Sequence, residues 1–271
     1  MTAEIIPPPD PSSSPPKAPK DILPPSSHSQ GAIKPKADVA EMFGRIVRRY
    51  DLMNRLMTGG RDVAWRRLAV GAALRGGEPG TARVIDVATG TGDLALALAA
   101  GGARSVVGID FAAPMIATAA AKRRGPGEAP AVRWLVGDAL ALPFPDESFE
   151  ACTVSFGLRN MADYGAALRE MTRVLAPGGR LVCLELTPYR VPVLGALFGW
   201  YFSRVVPIIG GVLSGDRDAY QYLPRSVAAF PPASELSALM TGAGLSGVSF
   251  RLLGGGTVAL HVGTKADAGR S

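Results

Sequence analysis

The sequence predicts an α/β fold with a doubly wound, mostly parallel seven-stranded sheet that ends in an antiparallel hairpin. From residue 83 onward, short apolar runs typical of buried strands alternate with helical segments. Such alternation produces right-handed crossovers between parallel strands. The last two strand-like runs, 247–253 and 257–263, are too close together for a crossover helix and should pair as an antiparallel hairpin.

The N-terminal part is expected to consist of a tail and a helical cap. Residues 1–36 contain ten of the 23 prolines and six serines, a composition that cannot bury enough apolar surface to order itself. Apolar side chains then recur at helical spacing over 37–74, which predicts helices. We therefore expect one folded domain over 37–265, with its cap in 37–80 and a short disordered end at 266–271.

The elements of the sheet follow in chain order. Strands are expected at 83–88, 105–110, 132–138, 149–156, 180–186, 247–253 and 257–263, and helices at 94–100, 113–124, 164–175 and 233–243.

Residues 188–230 are predicted to form an apolar helical insertion. The stretch 191–213 carries one charge, Arg204, and is long enough to span a bilayer. Because Pro192 and Pro207 interrupt it and the arginine lies near its middle, we expect a buried or membrane-touching segment instead of a span.

Composition limits the other function classes. The formal charge of +6 is compatible with nucleic acid, with anionic lipid or with a solvated helix face. The two cysteines, Cys152 and Cys183, lie in apolar runs, which favours a reducing cytoplasm over a disulfide framework. His28 and His261 have no cysteine at metal-ligand spacing, so no metal site is predicted.

The strongest local motif is DVATGTGD at 86–93, between a strand and a helix. Gly90 and Gly92 allow the backbone to approach a ligand, and the next helix offers free N–H groups. Gly90, Gly92 and Ala95 also satisfy a loose dinucleotide fingerprint, which leaves an NAD enzyme open. Asp86 either contacts the ligand or braces the turn.

Two further acids follow the neighbouring strands. Asp110 ends the second strand, where its carboxylate could accept both ribose hydroxyl hydrogens of an adenosine. Asp138, in GDA at 137–139, could receive the adenine amino group, and Ala139 supplies an N–H beside the ring. Since the acid Asp93 in the Gly-rich turn suits a cofactor without a pyrophosphate, this set favours S-adenosylmethionine over NAD.

Several motifs resemble known enzymes. LAPGGRL at 175–181 and the closing hairpin resemble class I, Rossmann-like methyltransferases. Five motifs resemble the quinone-biosynthesis C-methyltransferases in order and spacing, over nearly all of 37–265. They are YDLMNRLMTGG (50–60), ALPFPDESF (141–149), SFGLRNMAD (155–163), DAYQYLPRS (218–226) and GGTVALHVG (255–263).

The resemblance implies a set of site residues. Thr91, Asp110, Asp138, Ala139 and Ser155 match the family's S-adenosylmethionine contacts, beside Asp86, Gly90 and Gly92. Arg159 and Asn160 would meet the acceptor, and Tyr50, Asp51 and Asn54 would lie on the cap over the site.

One departure from the family concerns the segment after Met57. The family often has an aromatic-Gly-x-His-Arg pattern there, whereas this sequence has Gly60, Arg61, Asp62 and Val63.

The implied activity is C-methylation of a prenylated quinol, demethylmenaquinol to menaquinol, at the cytoplasmic face of an anionic membrane. A 2-methoxy-6-polyprenyl-1,4-benzoquinol of ubiquinone biosynthesis is the alternative acceptor, and an NAD-dependent oxidoreductase is a distant one. Arg159 is expected to favour the quinolate electrostatically, with Tyr50 or His261 as candidate proton relays. Nucleic acid is not expected, since interleaved aromatic residues are missing.

Overall fold

The computed structural model describes residues 36–78, 80–122, 132–188 and 217–266. The predicted tail, most of the predicted apolar insertion and the last five residues lie outside these ranges. Within the described chain, no helix has the length and apolar character needed to cross a membrane.

The sheet has seven strands in the order β3-β2-β1-β4-β5-β7-β6. Strands β1 to β5 pair in parallel, and β7 pairs antiparallel with both β5 and β6. The predicted fold class and closing hairpin are therefore confirmed. The strands are β1 (Arg83–Val87), β2 (Ser105–Asp110), β3 (Val132–Val136), β4 (Phe149–Ser155), β5 (Leu175–Leu186), β6 (Leu245–Leu253) and β7 (Val258–Lys265).

Helices cover both faces of the sheet, and each face has its own apolar cluster. Leu168, Met171 and Leu236 pack on one face, while Trp65 and Leu98 pack on the other. The described helices are α1 (Lys36–Thr58), α2 (Arg61–Ala73), α3 (Asp93–Ala100), α4 (Ala113–Ala121), α5 (Tyr164–Arg173), α6 (Arg217–Ala229) and α7 (Ala233–Gly242).

Two predicted boundaries were wrong by more than two residues. Helix α4 ends at Ala121, because Lys122 adopts an extended backbone (φ −62°, ψ 116°) and pairs with acids of other elements. Strand β5 begins at Leu175, not at residue 180, because the LAPGGRL segment pairs with β4 across an irregularity between Phe149 and Ala151.

The strand order places the ligand crevice. The chain runs outward from β1 to β3 and then returns to the other side of β1 as β4, so the order reverses between β1 and β4. In open α/β sheets ligands bind beyond the carboxyl ends of the strands at such a switch point.

Candidate active site

A crevice opens at the carboxyl ends of β1, β2, β3 and β4. Its walls combine two acids, one amide and several apolar side chains. The lining residues include Val87, Ala88, Ile109, Asp110, Phe111, Asp138, Ala139, Leu140, Gly157, Asn160 and Met161.

Asp110 holds the Gly-rich turn and faces the crevice. Its Oδ2 accepts the Gly90 N–H at 2.8 Å, and its Oδ1 accepts the Ala112 N–H at 2.9 Å. The carboxylate also accepts the backbone N–H of Phe111, and of its roughly four lone-pair sites one is left for a ligand hydroxyl. Burial raises the pKa of Asp110, against backbone hydrogen bonds that lower it. Gly90 has φ +57°, and a Cβ there would meet no atom within 4 Å, so the turn borders open space.

Asp138 and Ala139 line the neighbouring part of the crevice with Phe111 and Leu140. The Oδ1 of Asp138 accepts the Leu140 N–H at 3.0 Å, which orients the carboxylate. An adenosine fits this arrangement. The Asp110 carboxylate can accept a hydrogen bond from the ribose diol, the second acid follows 28 residues later, and apolar walls lie between the two acids. These residues are the ones that would hold the nucleoside part of the cofactor.

Asp86 lies beneath the turn and does not line the crevice. It is 1% exposed, and its carboxylate accepts hydrogen bonds from the hydroxyls of Thr89 and Thr153, both at 2.6 Å. Burial raises the pKa of Asp86 to about 6, although those hydrogen bonds lower it. Of the two roles considered for this acid, the contacts give it the bracing one.

Thr91 and Gly92 also turn away from the crevice. The Thr91 hydroxyl donates to Asp51 Oδ1 of α1 at 2.5 Å, and a Cβ on Gly92 would collide with the ring of Trp134. The two residues therefore attach the Gly-rich turn to its surroundings. Asp51, expected on the cap over the site, lies on α1 and contacts the turn through Thr91.

A chain of ion pairs extends this attachment. Lys122 contacts Asp51 at 2.9 Å and also Asp93. Arg66 of α2 bridges Asp93 at 3.1 Å and Asp62 at 2.9 Å. Sequence reasoning missed the pairs of Lys122 with Asp51 and Asp93 and of Arg66 with Asp93, because they join residues 27 to 71 positions apart and no local motif marks them.

Two polar atoms, one on β4 and one at the crevice, are buried without a partner in the described part of the chain. Among the described residues, neither Ser155 Oγ nor Asn160 Oδ1 makes a hydrogen bond, although both atoms are buried. Buried polar atoms are nearly always paired, so these two favour a ligand at this position. Ser155 ends β4 and Asn160 lines the crevice, and their roles in binding stay predictions.

Arg159 is buried behind Asn160 and paired with Glu185. Its Nη1 donates to Glu185 Oε1 at 2.6 Å and to the Phe156 carbonyl at 2.5 Å, and its backbone N–H donates to Glu185 Oε2. The exposed fractions are 7% for Arg159 and 1% for Glu185. Glu185 was missed, although an acid in the apolar strand RLVCLEL was a usable signal.

Two tyrosines adjoin this pair. Burial raises the pKa of Tyr164 to about 12 and raises that of Tyr222, with the charge of Glu185 adding to both. Both phenols therefore stay protonated at neutral pH and can donate hydrogen bonds, but neither is a suitable base.

The two candidate relays have different outcomes. The backbone of Tyr50 belongs to α1, but its side chain lies outside the description, so its role stays a prediction. His261 is 1% exposed on β7, its Nε2 lies 2.8 Å from the Ala233 carbonyl oxygen, and it does not line the crevice. These contacts favour a core role for His261 over a relay.

The backbone at the crevice mouth adopts an unusual conformation. Ala88 follows β1 with φ +52°, and Phe156 follows β4 with φ +55°. Gly157 comes so close to Ala88 that a Cβ on it would lie 2.5 Å from the Ala88 Cβ. Positive φ in residues other than glycine is uncommon and clusters at functional sites.

The comparison with known families identifies the chain. The model described as the ubiE/COQ5 methyltransferase family matches residues 31–265. The chain belongs to this family. It is therefore an S-adenosylmethionine-dependent methyltransferase, as the crevice suggested.

Several relatives are similar over nearly their whole length. A demethylmenaquinone methyltransferase of Thermus thermophilus is 52% identical over 226 residues, which cover 83% of this chain and 100% of the relative. One of Deinococcus radiodurans is 45% identical, with 84% and 92% covered. A ubiquinone/menaquinone biosynthesis C-methyltransferase of Geobacter sulfurreducens is 42% identical, with 84% and 88% covered.

Solved structures support the fold. A SAM-dependent methyltransferase from Thermotoga maritima has a TM-score of 0.55 at 21% identity and covers 83% of this chain and 98% of its own. The [4+2]-cyclase SpnF has a TM-score of 0.57 at 20% identity, with 89% and 99% covered. Since a cyclase shares the fold, the fold alone does not determine the reaction.

Proposed function

We propose that the enzyme methylates a ring carbon of a prenylated quinol, converting demethylmenaquinol to menaquinol. The observation that carries this proposal is the 52% identity, over its whole length, of a relative named demethylmenaquinone methyltransferase. The crevice is compatible with it, since a nucleoside end at Asp110 and Asp138 adjoins an end at Asn160 and Met161 that offers apolar surface and one amide.

The nucleoside end of the crevice would hold the cofactor. Asp110 would accept a hydrogen bond from a ribose hydroxyl, and Asp138 and Ala139 would contact the adenine. Bound S-adenosylmethionine supplies an electrophilic methyl group. Holding the reacting carbon close to that methyl in a dry crevice accounts for much of the acceleration expected of such a site.

The other end of the crevice would orient the quinol. Asn160 Oδ1 lacks a partner among the described residues, so it can accept a hydrogen bond from a quinol hydroxyl or from a bridging water. Arg159 would favour the quinolate, but Glu185 balances its charge at 2.6 Å. The Arg159–Glu185 pair therefore acts on the quinol ring as a fixed dipole and not as a free cation. In the reaction the ring carbon gains the methyl and loses its proton.

The ubiquinone precursor is kept as a second acceptor, because relatives named ubiquinone/menaquinone biosynthesis C-methyltransferase are 42% identical. Four relatives at 42–52% identity carry the demethylmenaquinone name alone, which favours menaquinone. The NAD-dependent alternative finds no support in these comparisons.

Quinone analysis tests the proposal. A host deleted for its own quinone methyltransferase is complemented with this chain or with Asn160→Ala, and the extracted quinones are measured by mass spectrometry. We expect the wild-type chain to restore menaquinone and the variant to restore much less. Restoration of ubiquinone alone would replace the acceptor, and restoration of neither quinone by a well-expressed chain would refute the proposal.

We further propose that the enzyme makes peripheral contact with the anionic inner face of the cell membrane. Helices α1 and α2 expose Leu52, Leu56 and Leu68, at 57%, 51% and 39%. The exposed arginines Arg55, Arg61 and Arg67 lie among these leucines. Exposed leucines beside cations are typical of surfaces that bind anionic bilayers.

A liposome flotation assay tests this contact. We expect the wild type to float with anionic vesicles and the variant L52S/L56S to float much less. The matched control is L252S, because Leu252 is 52% exposed on β6, the edge strand of the sheet, outside α1 and α2. Flotation that is equal in all three proteins, or absent in the wild type, would rule out this surface.

A further inference from the structure

The indole of Trp134 lies against the underside of the Gly-rich turn. A Cβ built on Gly92 would fall 2.3 Å from Trp134 Cη2 and 2.8 Å from Cζ3, well inside any permitted contact. Gly92 is the residue before α3 and has φ +83°. Its lack of a side chain therefore makes room for the ring, in addition to allowing the left-handed backbone.

A second glycine opens the path by which the ring reaches the turn. Trp134 on β3 pairs in register with Gly108 on β2. A Cβ on Gly108 would lie 2.6 Å from Cζ3 and 2.7 Å from Cε3 of the same ring. Side chains of paired residues share a face of the sheet, so the missing side chain at Gly108 lets the indole cross β2 toward the turn after β1.

The ring supports the turn opposite the point where Asp110 holds it. Asp110 fixes the Gly90 N–H at 2.8 Å, and Gly92, two residues later, rests on the indole. The backbone between these contacts closely follows Ala88, which lines the crevice. The distance of the Gly-rich turn from the sheet is therefore fixed by the Asp110 carboxylate on one side and by the Trp134 ring on the other.

We propose that Trp134 is a positioning residue for cofactor binding. It does not line the crevice. It acts through Gly92, by holding the Gly-rich turn at the height where Gly90 and Asp110 meet the nucleoside. A smaller side chain at 134 leaves a void beneath the turn, and the turn loses its fixed height.

The test compares two tryptophans of the same apolar cluster. Trp134 is half-buried against this cluster, whereas Trp65 on α2 is buried in it and packs against a glycine outside the turn, Gly254, in the segment between β6 and β7. W134L and W65L are purified, their melting temperatures are measured, and the Kd for S-adenosylhomocysteine is determined by calorimetry well below melting. We expect both variants to melt earlier, with binding about tenfold weaker in W134L and unchanged in W65L.

A double variant tests the path of the effect. G108A places a methyl group against the ring and should weaken binding by itself. In W134L/G108A the ring is gone, so G108A should cost no further affinity and the two changes should not be additive. If W134L does not fold, W134F with the same partner gives the same comparison.

Two results would overturn the proposal. Wild-type affinity in folded W134L or W134F would show that the ring supports the fold alone. Equal weakening in W65L would show that lower stability, and not the height of the turn, reduces binding.

Discussion

At the scale of single residues, Asp110 and Asp86 show that the position of an acidic side chain determines its role. They lie on adjacent strands, yet Asp110 lines the crevice and Asp86 is enclosed by two hydroxyls beneath the turn. Sequence reasoning placed Asp110 and Asp138 correctly, because acids at the ends of parallel strands face the ligand crevice. It left the role of Asp86 open, because an acid that braces the turn and an acid that contacts the ligand produce the same sequence pattern.

Asp110→Asn should weaken binding of S-adenosylhomocysteine by about 10- to 100-fold, the range expected for losing hydrogen bonds to a charged group. The amide group of asparagine also places an N–H donor opposite the N–H of Gly90 or of Ala112. The repulsion between the two donors disturbs the turn. Calorimetry measures the Kd, with Asp163→Asn, at the start of α5, as a control for an exposed acid. Unchanged affinity would contradict the assignment of Asp110 to the ribose.

The pKa of Asp86, about 6, predicts how stability depends on pH. The folded state holds this proton more tightly than the unfolded chain, whose aspartate titrates at its ordinary lower pKa. The stabilising contribution is therefore complete below about pH 4 and is lost as pH rises through about 6. Asp86→Asn should flatten this fall in the melting temperature between pH 4 and 7. An identical slope in both proteins would contradict the prediction.

The buried Arg159–Glu185 pair predicts a strong asymmetry between single and double variants. Arg159→Ala leaves the Glu185 carboxylate buried without its cation and should lower the free energy of unfolding by about 3–5 kcal/mol. R159M/E185L replaces both charges with apolar groups and should recover most of that loss. Denaturant titration checks both, and equal losses in the two proteins would contradict the prediction.

The same variants separate stability from catalysis. Because Arg159 lies behind the acceptor end, R159A and R159M/E185L should lose most turnover while the Kd for S-adenosylhomocysteine stays within a few-fold. Strongly impaired cofactor binding in the stable double variant would move Arg159 to the cofactor end of the crevice.

At the scale of elements, the cap is tied to the cofactor turn by charge. Helix α1 reaches the turn through Asp51, which contacts the Thr91 hydroxyl and Lys122, and α2 reaches α3 through Arg66 and Asp93. The sequence predicted the helices from their periodicity. It could not predict these ties, because contacts between residues 27 to 71 positions apart depend on the tertiary fold.

Asp51→Asn should loosen α1 without unfolding the sheet. The amide keeps one acceptor but removes the charge that attracts Lys122, so amides of α1 should exchange with deuterium faster while those of β1 and β4 stay protected. Exchange mass spectrometry measures both. Glu41→Gln, which breaks a pair with Arg45 within α1, is the control and should have a much smaller effect.

At the scale of the whole molecule, the alternation of strands and helices was enough to predict seven strands and the hairpin. Apolar periodicity records burial, and burial determines this architecture. The periodicity of apolar residues could not predict how the side chains of different elements fit together. The slot for Trp134 needs glycines on a strand and in a turn, and the extension of β5 needs an irregularity opposite Phe149. Such features arise where distant segments meet.

The left-handed backbone at Ala88 and Phe156 has a consequence for engineering. Each of these residues holds a conformation that costs an L-amino acid about 1–2 kcal/mol, so the native state carries stored strain at the rim of its own catalytic chamber. Laboratory selection for heat tolerance should readily find glycine at residue 88, but not at residue 156, because Phe156 packs against the apolar cluster of Trp65 and Leu98 and glycine would lose that packing. A variant with glycine at residue 88 would resist melting and yet work more slowly, because the backbone at the rim would have gained the conformational freedom that the alanine now restricts.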